Sequence, residues 1–468
     1  MTRARLAIFI VAGACIVEFL VTMAAHHKRF ARGTSSDPVK QAHLEWNLQT
    51  TVDAYYKAGF RGYYWDGPAV LALTEFAYSR AGVLGTNEPW AQIITTNVNA
   101  AIRAGCKDPM VNYLYIRYAM DQSNLKERFM DSFMQMMRTM NGSRYPPIRK
   151  FYAAARTMDQ GFYTYGYNAT NAPDLNEAWA VLTQNLAATL SDKNVPAEEA
   201  YEAAELAISL DGGKSLEQMY QQIEQQYFQN WSNDYTAWLL KGDAYIDMAW
   251  SARGSGYAGS VGQDAWKTFG DDLKTAGSSL EKAWGMYPKD ERIPVQMIRV
   301  CEGLQKPRDE METWFSRAMA IDPDSFNACE QKLHYLYPQW YGSRADMVAF
   351  GRECLTSTNW GGYVPLMLYQ AHREYWFYLS ESDYKKAYWK LPDVWPDVEA
   401  SFERFFRLNP DATSYYHNYA WCAYQAEQWN KLNELIPKLG TVNYEYFGGE
   451  DEFNKMVELA KEHVVQNK

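Results

Sequence analysis

The chain has 468 residues, a formal net charge of -10 and a sequence pI near 5.4. A nucleic-acid partner needs a clustered basic surface, and no lysine or arginine run is longer than Lys28-Arg29, so the composition argues against that class of function. The six cysteines include no pair with C-x2-C spacing, which excludes the usual zinc and thioredoxin signatures. We expect the five cysteines beyond Cys15 to be small core residues.

The N-terminal segment is apolar. Residues 6–25 form a nearly continuous apolar run with basic residues on both sides. A run of this length can span a bilayer as a helix, although Glu18 would be costly in the middle of the membrane. We interpret residues 1–30 as a signal anchor, or alternatively as a signal peptide cleaved after Ala24 or Ala25. The folded part is then expected outside the cytoplasm, in the envelope of a bacterial cell. It would be membrane-anchored or, after cleavage, secreted or periplasmic.

Residues 31–40 are predicted to be a polar linker, and residues 41–172 an N-terminal helical domain. Helices are predicted over 68–81, 89–104, 109–120, 125–140 and 147–159. Prolines stand at or near the starts of four of these segments, where a missing N–H costs no hydrogen bond. No repeat signature occurs in this part of the chain.

Residues 173–468 are predicted to form helical repeats. The first helices there are expected over 177–190, 196–210, 216–229 and 234–250. Later units end at Pro288, Pro323 and Pro410, and the first two of these prolines are 35 residues apart, which is one period of a roughly 34-residue repeat. Further helices are predicted over 325–337, 344–356, 364–379, 394–408, 413–428, 429–439 and 450–465. Stacked helix pairs of this kind form a solenoid.

One unit carries a recognisable motif. Residues 238–245 resemble the W-x2-L-G-x2-Y opening of the tetratricopeptide repeat, and its closing half follows later. The resemblance implies that Gly242 lets the second helix approach the first, because a glycine has no side chain at the contact. The signature positions are Trp238, Gly242, Tyr245, Ala276, Leu280, Ala283 and Pro288, with Ala318, Pro323 and Pro410 assigned to later units. The predicted fold is an all-α, tetratricopeptide-like solenoid behind an N-terminal membrane helix or signal peptide.

This unit is longer than the pattern. Ala276 follows Gly242 by 34 residues, about 22 more than the repeat allows. The extra residues, 251–274, include several glycines, and we expect them to leave the repeat as a loop. Such an insertion is either a tolerated surface loop or part of a binding face.

A second resemblance covers residues 337–350. The order Pro338, Trp340, Gly342-Ser343, Met347 and Phe350 is similar to a pattern in a bacterial domain of unknown function that accompanies tetratricopeptide-like repeats. Residues 104–109 and 113–115 are also similar to that family. The resemblance implies a fold and no activity.

Catalytic templates such as H-E-x-x-H and G-x-S-x-G are absent from the sequence. His334, His372 and His417 fall on three different predicted helices, where they either share a metal or lie apart as separately satisfied residues. Trp340, Tyr341, Trp360, Tyr363 and Trp376 form the densest aromatic group. Packing between helices is the favoured explanation of these rings, yet they are the best candidate binding residues. No catalytic residue, metal or cofactor is predicted.

Two functions remain open. The first is a non-enzymatic, membrane-anchored scaffold that binds a protein or peptide partner in the concave groove of its repeats. The second is a cell-envelope protein that binds or processes glycans, with aromatic rings stacked on sugars and a carboxyl pair that the sequence does not locate. First helices of successive units, aided by the loop at Trp340 and Tyr341, are expected to supply the ligand contacts.

Overall fold

The computed structural model describes residues 38–83, 89–120, 126–166, 172–210, 216–254, 256 and 258–466. Within these ranges the regular secondary structure is entirely helical, which confirms the all-α prediction. The predicted signal anchor and residues 31–37 of the predicted linker lie outside the described residues. The last three positions of that linker, 38–40, already belong to the first described helix. Among the helices described, none is both long enough and apolar enough for a membrane crossing.

The chain divides into two compact units, Met1–Leu240 and Lys241–Lys468. In the first unit, a π-helical turn at Gln49–Asp53 joins α1 to α2. The α-helices of this unit are α1 (Pro38–Leu48), α2 (Ala54–Ala58), α3 (Asp66–Arg80), α4 (Trp90–Arg103), α5 (Pro109–Tyr118), α6 (Lys126–Asn141), α7 (Pro147–Tyr165), α8 (Pro173–Leu190), α9 (Ala197–Ser209) and α10 (Leu216–Trp231).

Prolines and capping side chains set several of these helix starts. Pro109 and Pro147 begin α5 and α7 as the sequence predicts. Asp108 caps α5, because its carboxylate accepts hydrogen bonds from the backbone N–H groups of Met110 and Val111 at 2.9 and 3.2 Å. The predicted helix positions in this region are therefore confirmed to within a few residues, except that α7 continues six residues past its predicted end.

The second unit continues the helical pattern. The division between the units falls inside α11 (Tyr235–Arg253). The helices that follow are α12 (Gln263–Met286), α13 (Arg292–Gly303), α14 (Arg308–Ile321), α15 (Phe326–Tyr335), α16 (Arg344–Thr356), α17 (Met367–Tyr378), α18 (Asp383–Ala387), α19 (Val394–Leu408), α20 (Tyr416–Gln425), α21 (Trp429–Leu435) and α22 (Glu450–Gln466).

Neighbouring helices of the second unit pack in pairs, and some also reach the helix after next. α13 packs against α12 and α14 and also against α15. α17 in turn packs against α16, α15 and α19. Alternate helices α13, α15 and α17 are thereby brought side by side, and α15 and α17 are the first helices of two predicted pairs.

The contact between α11 and α12 passes through Gly242. A Cβ atom on Gly242 would lie 2.5 Å from Cγ of Leu280, which is too close for any real side chain. Ala276, Leu280 and Ala283 are fully buried on α12. Small residues therefore let the two helices approach each other at the position where the repeat pattern requires it.

The two aromatic residues of the repeat signature, Trp238 and Tyr245, are the first and last residues of its opening motif. In the first unit, the ring of Trp238 packs edge-on against Phe228 with centroids 5.1 Å apart, and its indole N–H donates to the Ser232 carbonyl at 3.2 Å. In the second unit, the Lys241 ammonium lies 5.5 Å from the ring centroid of Tyr245. Each ring thus contacts residues close to it along the chain.

The prolines assigned to the repeat ends follow helices. Pro288, Pro323 and Pro410 each lie two residues beyond the last residue of α12, α14 and α19. Ala318 is fully buried on α14. Because proline cannot continue an α-helix, its position after each of these helices agrees with the predicted ends of the units.

The prediction that residues 251–274 form a loop is wrong for much of that range. α11 extends to Arg253 and α12 begins at Gln263, so only residues 254–262 lie between the two α-helices. Phe269 and Leu273 are buried on α12, because apolar residues recur there at helical spacing. The glycines that suggested a loop are concentrated before Gln263.

The five described cysteines are buried and free, which confirms their prediction as core residues. Burial raises the pKa of Cys106 to about 11 and that of Cys301 to about 12. Their thiols therefore stay protonated and unreactive at neutral pH.

Candidate functional site

An open cleft of about 570 Å³ lies in the second unit. Residues from α11, α13, α15 and α17 line it, together with the segment between α15 and α16. α11, α15 and α17 are the predicted first helices of their units, whereas α13 is not among the predicted helices, and the segment contains Trp340. A cleft of this size is in the range that holds small ligands or short peptide segments.

The middle of the cleft contains a carboxylate and an imidazole in direct contact. Glu302 at the end of α13 is only 2 % exposed, and its Oε2 lies 2.6 Å from Nδ1 of His334 on α15. The Tyr341 hydroxyl donates to the Glu302 backbone carbonyl at 2.8 Å and holds this helix end in place. When Nδ1–H donates to the carboxylate, Nε2 is the ring nitrogen left for a ligand.

Glu302 is not fully satisfied by this contact. Its second oxygen, Oε1, is buried without a hydrogen-bond partner among the described residues. The same holds for the indole nitrogens of Trp250 and Trp340, which also line the cleft. Buried polar groups normally have partners in the protein or in bound water, and these three atoms lack one among the described residues.

One end of the cleft is an aromatic cage around Arg253. The guanidinium lies 5.6, 5.5 and 5.4 Å from the ring centroids of Trp250, Trp266 and Trp340. Its Nη1 donates to the Gly254 carbonyl at 2.9 Å. A cation–π contact is worth roughly 0.5–2 kcal/mol depending on desolvation, so three rings hold this positive charge at a fixed position.

The other end of the cleft carries charged residues of α15 and α17. Nη1 of Arg373 donates to Gln370 at 3.0 Å and to Glu374 at 3.2 Å. Burial raises the pKa of Glu330, and the nearby Glu374 carboxylate raises it further. Burial and the Glu374 carboxylate also raise the pKa of the Tyr337 hydroxyl. The cleft therefore contains a carboxyl group whose pKa is raised above that of an ordinary glutamate.

Of the five predicted binding residues, Trp340 alone lines this cleft. Tyr341 packs against Tyr335 with ring centroids 4.6 Å apart, and its hydroxyl is engaged by the backbone of α13. Tyr341 therefore positions the cleft wall and does not face the open space.

The other three predicted binding residues pack against aromatic rings elsewhere in the second unit, although Tyr363 remains 39 % exposed. Trp360 lies against Phe315 with centroids 5.7 Å apart. Tyr363 contacts the ring of Phe405 at 5.1 Å. Trp376 packs against Trp389, Trp421 and Phe377, and its indole N–H donates to the Lys385 carbonyl at 3.1 Å. The structure thus separates an aromatic group that the sequence placed together.

The three histidines considered as metal ligands have separate partners. His334 contacts Glu302, whereas buried His372 contacts Asp397 through Nε2 at 3.1 Å and the Tyr388 hydroxyl through Nδ1 at 2.9 Å. His417 contacts the Ser414 carbonyl and the Asn443 N–H. Among the described residues, these three histidines form no common metal site.

The charged residues of the cleft were missed in the sequence. Arg299 and Glu302 are three residues apart on α13, and Gln370 and Arg373 have the same spacing on α17. Polar residues at this spacing share one helix face, and a solvated surface has the same pattern. Only the packing of alternate helices side by side distinguishes a cleft from an ordinary exposed face.

A separate polar cluster lies in the first unit. Ligand atoms of His43, Glu199 and Glu202 lie within 4.8 Å of one another, which is the spacing of a metal site. Arg80 pairs with both glutamates, and fully buried Arg149 adds a second positive charge that lowers the pKa of Glu199 against the effect of burial. Because arginines already neutralise the carboxylates, we assign this cluster to the packing of the first unit.

No known protein family matches this chain, and a comparison with curated proteins finds no match. The interpretation of the cleft therefore depends on its own residues.

Proposed function

We propose that this protein is a tetratricopeptide-like helical-repeat scaffold that binds a protein or peptide partner in the cleft of its second unit. The observation that carries the proposal is that four alternate helices, α11, α13, α15 and α17, contribute side chains to one open cleft. In solenoids, equivalent helices of successive repeats form one extended surface, and extended segments of partners bind to it. The proposed role is binding without catalysis.

The chemistry of the cleft supports a peptide ligand. Its charged residues include three arginines and three glutamates. The cleft therefore has no excess of carboxylates, although the chain as a whole is negatively charged. Indole rings, amides and charges of both signs recognise peptide groups of equally mixed character. The cleft therefore favours a partner segment that carries charges of both signs.

Attachment to a membrane is also part of the proposal. It is supported by the apolar run at residues 6–25 and its basic flanks. In this arrangement the N-terminal segment anchors the protein in a bacterial envelope membrane, and the two helical units lie outside the cytoplasm. Extraction of the full chain from membranes at high salt or alkaline pH tests the anchor, since an apolar span resists both treatments.

Co-purification with matched variants tests the binding role. Gln331→Trp places a ring in the cleft, whereas Ala349→Trp places the same ring on the exposed face of α16. The wild type and Ala349→Trp are expected to retain a stoichiometric protein partner from solubilised membranes, and Gln331→Trp is expected to lose it. Retention of the same partner by Gln331→Trp would show that the cleft is not the binding site.

One observation favours glycan processing as a second candidate. The structure brings the carboxyl groups of Glu302, Glu330 and Glu374 into the same cleft as Trp250 and Trp340. Glycosidases use two such carboxyl groups, one of them an acid with a raised pKa, and the pKa of Glu330 is raised by burial and by Glu374. Release of reducing ends from cell-wall polysaccharide by the wild type, abolished in Glu330→Gln, would favour this candidate over the scaffold.

A further inference from the structure

Most charges in the cleft are already paired within the protein. Arg299 lies 3.4 Å from Asp247, and Arg373 lies 3.2 Å from Glu374. The Glu302 carboxylate contacts the His334 ring. These groups give the cleft its shape, because each has a neighbour that limits its movement and offsets its charge.

Arg253 is an exception at one end of the cleft. Its hydrogen bonds go to the carbonyl oxygens of Gly254 and Gly256, at 2.9 and 3.4 Å, and no carboxylate pairs with it among the described residues. Its Nε atom is buried without an acceptor. Three indole rings hold the guanidinium in place, so it is a preorganised positive charge with unused donors.

Glu330, in the first turns of α15, is the second exception, and its carboxylate has the opposite sign to Arg253. No hydrogen bond or ion pair to its carboxylate is found in the part of the chain that the structure describes. The neighbouring charge of Glu374 disfavours its ionised form, and Arg373, already paired with Glu374, offsets this only in part. A cationic group placed beside Glu330 would favour its ionised form and offset the repulsion from Glu374.

We propose that the cleft binds a zwitterionic peptide segment in one direction, with a carboxylate of the ligand at Arg253 and an ammonium or guanidinium group at Glu330. The inference rests on the proposed function of the cleft and adds its ligand chemistry and direction. It follows from charge complementarity, since the two charges without partners have opposite signs and line the same cleft. Glu302, Trp250 and Trp340 line the same cleft.

Short synthetic peptides test this inference on the full chain. The probe is a fluorescently labelled tetrapeptide with blocked termini, Asp-Ala-Ala-Lys, whose only charges are its two side chains. Its controls replace Asp by Asn, Lys by Gln, or both. By fluorescence polarisation we expect each lost charge to weaken binding roughly five- to tenfold, and the neutral peptide to bind weakest.

Protein variants then assign each charge to its residue. Arg253→Gln should abolish the preference for Asp over Asn and leave the preference for Lys, and Glu330→Gln should do the reverse. If both variants keep both preferences, the assignment is wrong. Absence of binding for all four peptides up to roughly 1 mM, where binding free energy is only about 4 kcal/mol, would also overturn it.

A third variant separates this inference from the proposed function. Gln331→Trp should block every peptide. If it blocks binding while the four peptides bind equally to the wild type, the cleft is the binding site and the charge assignment is wrong. If Gln331→Trp binds all peptides as the wild type does, both the assignment and the cleft are wrong. Release of the labelled peptide by cell-wall glycan fragments alone, without any charge preference, would favour a sugar ligand.

Discussion

Replacement of Gly242 by alanine tests the helix contact on which the repeat register depends. The added Cβ atom would lie 2.5 and 2.6 Å from two carbon atoms of the fully buried Leu280, so the leucine or its helix must move. Overpacking of this kind costs about 1–3 kcal/mol, and the better helix propensity of alanine returns about 0.5–1 kcal/mol. The net loss of stability should be roughly 0.5–2 kcal/mol, and leucine at this position should cost more.

Gly270 on α12 provides a matched control. No atom lies within 4 Å of the position that its Cβ atom would occupy, so Gly270→Ala should stabilise the protein by about 0.5–1 kcal/mol. Thermal unfolding followed by circular dichroism should show shifts of opposite sign, with roughly 2–4 °C per kcal/mol for a domain of about 150–250 residues. Gly256→Leu, between the helices, should change little. Equal shifts for Gly242→Ala and Gly270→Ala would refute the helix contact.

Three further variants test other parts of the structure by denaturant unfolding. Gly303→Ala should lose about 1–3 kcal/mol, because its Cβ atom would lie 2.3 Å from Cδ1 of Leu273; no loss would argue against the helical start of α12. Trp376→Ala should lose about 3 kcal/mol or more through its packing, and a variant with native stability but impaired partner binding would contradict this. Glu199→Gln should lose about 3 kcal/mol. Burial opposes ionisation of Glu199, but His43 and two arginines lower its pKa below the ordinary 4.5, so its stabilisation is present above pH 4.5 and is lost as the pH falls further. Glu199→Gln should therefore be less sensitive to acid than the wild type, and equal acid sensitivity would contradict this assignment.

Local patterns in the sequence were sufficient for much of the fold. Helix periodicity and proline positions predicted α16 and α19 at their observed bounds. Pro288 and Pro323 mark the ends of helices because proline restricts the backbone at its own position and at the neighbouring residues. By contrast, the glycines after Arg253 obscured the apolar spacing of Phe269 and Leu273, so the first half of α12 was predicted as a loop.

The cleft could be predicted only in outline. The expectation that first helices and the loop at Trp340 line a groove needs only the repeat order, and the cleft has these elements. Tyr341 and Trp376 could not be separated from Trp340 by sequence, because an indole or phenol has the same character in a core and in a cleft. The pairing of Glu302 with His334, 32 residues apart, depends on how two non-adjacent helices pack, which no local pattern encodes.

Site-specific photocrosslinking in living cells tests the central claim, that the cleft of the second unit binds a partner, most directly. A benzophenone amino acid would replace Gln331 inside the cleft or, as a control, Ala349 on the exposed face of α16. We predict one discrete protein adduct from position 331, lost when Arg253→Gln and Glu330→Gln are combined, and none from position 349. Equal adducts from both positions, or an adduct from position 349 alone, would contradict the claim that the cleft is the binding site.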